Sequence, residues 1–144
     1  MVSWREKALE LFPELNAAIL EAEDPMALWI HINFAFIEAY EEPRNDDLIK
    51  RVYEFESWCM DQETVEDAAN DLPTCVVLGF WEHLPTHLAT RKDMARWFSP
   101  KEILVNSDAF SYFLSAGNFE ALLEEMEHSG LNMEREPSYL PADA

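Results

Sequence analysis

Apolar residues recur along this chain at helical spacing, in segments separated by prolines and short polar stretches. Trp4, Ala8, Leu11 and Phe12 share one face behind Ser3 and Glu6, a capping-box pair that opens a first helix. Phe12-Pro13-Glu14-Leu15 marks a break and a restart. Pro13 suits the first turn of a second helix carrying Leu15, Ala18, Ile19 and Ala22. Asp24 followed by Pro25 predicts a third helix, running to about Glu41. Met26, Trp29, Ile30, Asn33, Phe34, Ile37 and Tyr40 lie on one side of it and Leu28, Ile32 and Phe36 on another. That helix is therefore expected to be covered on more than one face. Asn45 caps the next helix, with Asp46 and Asp47 in its first turn and Leu48, Ile49, Val52, Phe55, Trp58 and Cys59 as an apolar stripe.

The stretch from Cys75 to Trp81 has neither charge nor polar side chain, so it is expected at the centre of the fold. It is too short to span a bilayer. Val76 and Val77 would suit a strand. Pro73 as a first-turn residue, Pro85 as a terminator and helical neighbours on both sides favour a buried helix from Leu72 to Leu84. Gly79 in mid-helix costs about 1 kcal/mol against Ala, and its expected use is to let a neighbouring helix approach closely. Gln62 to Asp71 reads as a short helix or a loop. Further on, Ser99-Pro100-Lys101-Glu102 combines a cap, a first-turn proline and a capping-box acid. Phe110, Phe113 and Leu114 are expected inward, with Gly117 ending their helix. Asn118 is then expected to cap a last helix carrying Phe119, Leu122, Leu123 and Met126.

These elements predict an all-α protein: an irregular stack of antiparallel αα-hairpins of HEAT-like character in a single domain, residues 1–130, followed by a C-terminal tail, 131–144. Residues 46–61 with 72–84 form the clearest hairpin. No strict repeat of 34 to 47 residues is present.

The chain has 144 residues and a formal net charge of -19. Phosphate backbones and anionic membranes attract Lys and Arg, so neither nucleic acid nor a membrane surface is an expected partner, whereas a basic protein is. The first fifteen residues are interrupted by charge in a way a signal peptide is not, and a cytoplasmic location follows as an expectation. Cys59 and Cys75 sit among apolar residues and read as buried reduced thiols.

Glu82-His83-Leu84-Pro85-Thr86-His87 places two His four apart, but not in the H-E-x-x-H order, and Pro85 breaks the helix that would align them. Glu125 and His128 have di-iron spacing without a second such pair. His31, beside Trp29, Ile30 and Ile32, reads as buried or half-buried. No catalytic residue, metal ligand or cofactor is assigned. The most suggestive feature is Glu54, Glu56, Asp61, Glu63, Glu66, Asp67 and Asp71, seven acids in eighteen residues without a base. Such a segment is either a solvated face or a surface that meets a cationic partner. Arg91, Lys92, Arg96 and Lys101 form a later basic stretch that could pair with it.

Phe12-Pro13-Glu14-Leu15, the Leu48 to Trp58 helix and the apolar helix closing in Glu82-His83-Leu84 together resemble an uncharacterised family of small bacterial helical proteins. The resemblance spans about the first 90 residues and carries over no functional residue. By analogy it points to immunity proteins that neutralise secreted toxins. The expected function is a non-enzymatic, acidic binding protein of immunity or antitoxin type. The alternatives are a small enzyme with a carboxylate site around Trp29, His31, Trp81, Glu82 and His83, and an accessory scaffold domain.

Overall fold

A computed structural model describes residues 2–141, and every described element is helical or irregular, with no strand among them. The helices begin where the caps are. Ser3 Oγ accepts the Glu6 N–H at 3.1 Å, Glu6 accepts the Ser3 N–H in return, and α1 runs Trp4–Leu11. A 3-10 turn, Pro13–Leu15, leads into α2, Asn16–Glu21. Asp24 Oδ1 accepts the Ala27 N–H at 2.8 Å at the start of α3, Pro25–Glu38. Asn45 Oδ1 caps α4, Asp46–Met60, by accepting the Leu48 N–H. The chain is all-α.

Contacts gather in two compact units that divide between Phe80 and Trp81. In the first, α4 packs against α1, α3 and α5, so the hairpin expected from α4 and the central stretch is present. Its core is an aromatic stack: the Trp29 ring lies 5.4 Å from Phe55 and 5.2 Å from Phe80, and Phe36 meets Phe80 edge-on at 4.9 Å. Arg5 closes the end of α2 by donating to the carbonyls of Ile19, Leu20 and Ala22. Arg51 donates to the Leu11 carbonyl and to both Glu14 oxygens, tying α4 to the turn after α1.

The central stretch is helical but not uniform. It opens as α5, Leu72–Val76, widens into a π turn, Val77–Trp81, and passes through two turn residues to a 3-10 turn, Leu84–Thr86. The π turn carries the close approach that Gly79 predicts. A Cβ on residue 79 would lie 2.8 Å from the Cβ of Trp29, nearer than real side chains come.

The second unit contains α6, Leu88–Asp93; α7, Pro100–Val105; α8, Ser107–Phe110; and α9, Ala116–Glu127. Trp81 stacks on Phe110 at 5.1 Å and meets Phe98 and Tyr139 edge-on. Beyond α9 the backbone is irregular and tied down from Glu134 to Tyr139. The Glu134 N–H donates to the Arg96 carbonyl at 2.7 Å. Arg135 Nε donates to the Trp97 carbonyl while its guanidinium covers Phe98 and Tyr139. Glu102 is wholly buried. One of its oxygens completes the α7 capping box, and the other accepts the N–H groups of Ser138 and Tyr139 at 3.0 and 3.1 Å.

Four local expectations are corrected. Helix α3 is not covered on more than one face: Leu28, Trp29, Ile32 and Phe36 are buried, but Ile30 and Phe34 on its other side are exposed. Ser115, not Asn118, caps α9, because its Oγ accepts the Asn118 N–H; Gly117 therefore lies inside the first turn instead of ending the previous helix. Phe113 falls in the turn after α8 and is mostly exposed. His31 projects from the open side of α3 and is exposed.

Candidate protein-interaction surface

The seven acids of the Glu54 to Asp71 segment divide into two groups. Glu56 lies on the inner side of α4, four residues after Val52 and three before Cys59, and is fully buried. Asp71 is buried as the cap of α5. Its carboxylate accepts the N–H of Thr74, the Thr74 hydroxyl, and the Val65 N–H at 2.8 Å. The Thr74 hydroxyl, together with these backbone N–H groups, holds its carboxyl below the usual aspartate range. Neither side chain is offered to a partner. The sequence pattern missed this because a helix cap and a buried helix position carry the same charge as a solvated one.

Glu54, Asp61, Glu63, Glu66 and Asp67 remain exposed. Glu54 and Asp61 stand seven residues apart, two turns along one side of α4 and its C-cap. Glu63, Glu66 and Asp67 lie on the loop that follows. That loop is firmly built: Asp71 clamps Val65, the Cys75 thiol donates to the Ala68 and Ala69 carbonyls, and the Met26 N–H donates to the Ala69 carbonyl at 3.3 Å. The last bond sets the loop beside the start of α3. Asp24, the α3 cap, adds a carboxylate there from outside the 54–71 segment. Burial pushes the Cys75 thiol up to about 12, and Asp24, Asp71 and Asp67 push in the same direction.

Two of the later bases are engaged within the second unit. Arg91 binds Glu125 through Nε at 3.1 Å and a terminal nitrogen at 2.5 Å, holding the Glu125 carboxyl low, and it donates to the Asn118 carbonyl. Arg96 pairs with Asp93 at 3.0 Å. Among the described residues, none of Glu54, Asp61, Glu63, Glu66 and Asp67 has an ion pair with Lys, Arg or His.

The residues of the enzyme alternative stand in different settings. In the first unit Trp29 is core and His31 is on the surface. In the second, Trp81 is core, Glu82 is buried with its carboxyl pushed up by that burial, and the His83 ring lies 5.2 Å from Phe113. His87 sits in extended backbone ahead of α6, so the two His do not share a helical face. A recess of about 420 Å3 in the second unit is lined by Ser99, Pro100, Lys101, Leu104, Leu123 and Glu127 and includes none of these groups. Among the described residues no cluster of three or more His, Cys, Asp or Glu is arranged to hold a metal ion, and no helix is long and apolar enough to cross a membrane. No family model, curated protein or solved structure matches the chain.

Proposed function

We propose that this is a non-enzymatic binding protein that covers a basic partner protein, in the manner of an immunity protein or antitoxin. The observation that carries the reading is the set of five exposed acids on α4 and its following loop, none of them in an ion pair among the described residues. A rigid loop that concentrates negative charge raises the association rate of a cationic protein and disfavours acidic ones. The bacterial resemblance and its immunity analogy agree with this reading. A basic protein captured from the native host supplies the partner for the test, which is association kinetics across salt. The triple substitution Glu63→Gln, Glu66→Gln, Asp67→Asn is expected to slow association several-fold at low salt, with little change in dissociation. The difference should fade as the Debye length falls from about 10 Å at 0.1 M to about 3 Å at 1 M salt. An unchanged on-rate at low salt would assign the loop to solubility alone.

A further inference from the structure

Helix α3 is apolar nearly all round, and helices of that kind are normally enclosed. Here only one side is. Leu28, Trp29, Ile32 and Phe36 face the core, while Ile30 is 52% and Phe34 65% exposed, with Met26 and Ile37 half-buried beside them. Met26, Ile30, Phe34 and Ile37 follow the i, i+4, i+8, i+11 spacing of a single helical stripe. From Met26 to Ile37 the stripe is about 17 Å long on the 14-residue helix. Acids stand at both of its ends, Glu21, Glu23 and Asp24 before it and Glu38, Glu41 and Glu42 after it, and no Lys or Arg occurs between Lys7 and Arg44. Its first turn adjoins the acidic loop through the Met26 to Ala69 hydrogen bond.

We infer that the outer face of α3 is a docking surface for an amphipathic helix of a basic partner, one with an apolar stripe flanked by Lys or Arg at both ends. The apolar stripe receives the partner's hydrophobic residues, as in helix-to-helix recognition generally. The acids at the two ends meet its cations and fix its position along α3. A second copy of this chain fits poorly, because it would bring acids against acids on a molecule of charge -19. The inference rests on the proposed basic partner and adds the apolar anchor that the acidic loop lacks.

The test titrates the intact protein at about 0.15 M salt with a synthetic amphipathic helical peptide carrying Leu at i, i+4 and i+7 and Lys in both terminal turns. The same peptide with Glu for Lys is the control. The variant Ile30→Ser, Phe34→Ser changes exposed side chains only, and an unchanged melting curve confirms its fold. It is expected to weaken the Lys peptide about tenfold, and the Glu peptide is expected not to bind. Equal binding by variant and parent, or equal binding of both peptides, overturns the inference. So does sedimentation that finds the parent dimeric and the variant monomeric, which would give the face to a second copy. The loop triple variant separates the two readings. If it alone loses peptide, the acidic-loop reading stands and this one fails. If the α3 variant alone loses peptide, this one stands and the acidic loop is not the contact.

Discussion

At Gly79 the absence of a single carbon sets the distance between two elements. Because a Cβ there would press on the Cβ of Trp29, and that residue is itself wedged between Phe55 and Phe80, the neighbour has little freedom to give. Gly79→Leu is expected to destabilise the protein by about 1–3 kcal/mol through overpacking, measured by urea unfolding. Asp71 and Glu82 are carboxyls displaced in opposite directions. Asp71 is held low, so it stabilises the native state above the ordinary aspartate range and loses that effect as pH falls through its native value. Asp71→Ala is expected to cost about 1–2 kcal/mol at neutral pH, the upper part of the range for a cap, and much less in acid. Glu82 is held high by burial, so its ionised form works against folding at neutral pH. Glu82→Gln is expected to be the more stable protein at pH 7, with the gap closing as pH falls through the raised native value of Glu82 and gone below about 4, where both states of the parent are protonated. Gly79 was legible in the sequence because mid-helix glycine needs a reason. The burial of Glu56 and Asp71 was not, because an isolated sequence gives their charge without the neighbours that surround it.

Among the elements, those with a local signal were legible. Ser3 with Glu6, Asn45, and Ser99 with Glu102 each cap the helix that follows them, since that chemistry acts over three residues. At α9 both Ser115 and Asn118 satisfy the cap rules, and the structure selects Ser115, whose Oγ accepts the Asn118 N–H. The segment after α9 has no period to read, and what holds it is long-range. Glu102, counted as a capping acid, also receives two N–H groups from residues 36 and 37 positions away. Glu102→Ala should therefore do more than remove a cap. With two part-buried N–H groups losing their acceptor as well as the cap, it is expected to cost on the order of 2 kcal/mol. The Trp81 environment should change with it, visible as altered near-ultraviolet circular dichroism. Ser99→Ala removes only the other half of the box and is expected to cost about 1 kcal/mol, with that spectrum unchanged.

At the scale of the whole molecule, charge is the dominant property. The formal net charge of -19 places many like charges on a small surface, and their repulsion opposes compaction. Raising salt from about 0.01 M to about 0.5 M is expected to raise the melting temperature, because screening lengths shrink well below the molecular diameter. A melting temperature that fell over that range would mean the ion pairs of Arg51 and Arg91 outweigh the repulsion. The sequence made the sign and size of this charge plain. It did not reveal that α3 would leave an apolar side open, because periodicity reports how many faces a helix could bury and not how many neighbours arrive to bury them.

The two cysteines give the first unit a pair of internal clocks. Cys59 on α4 and Cys75 on α5 are both fully buried, and burial suppresses the thiolate that any alkylating reagent requires. Each sulfur therefore reacts only while its surroundings are open, so its labelling rate counts openings without a substituted residue. Cys75 is bonded to the carbonyls of the acidic loop, and Cys59 belongs to the stripe that α4 turns inward. If Cys75 labels first, the loop breathes on its own; if both label together, it moves only when the helices part.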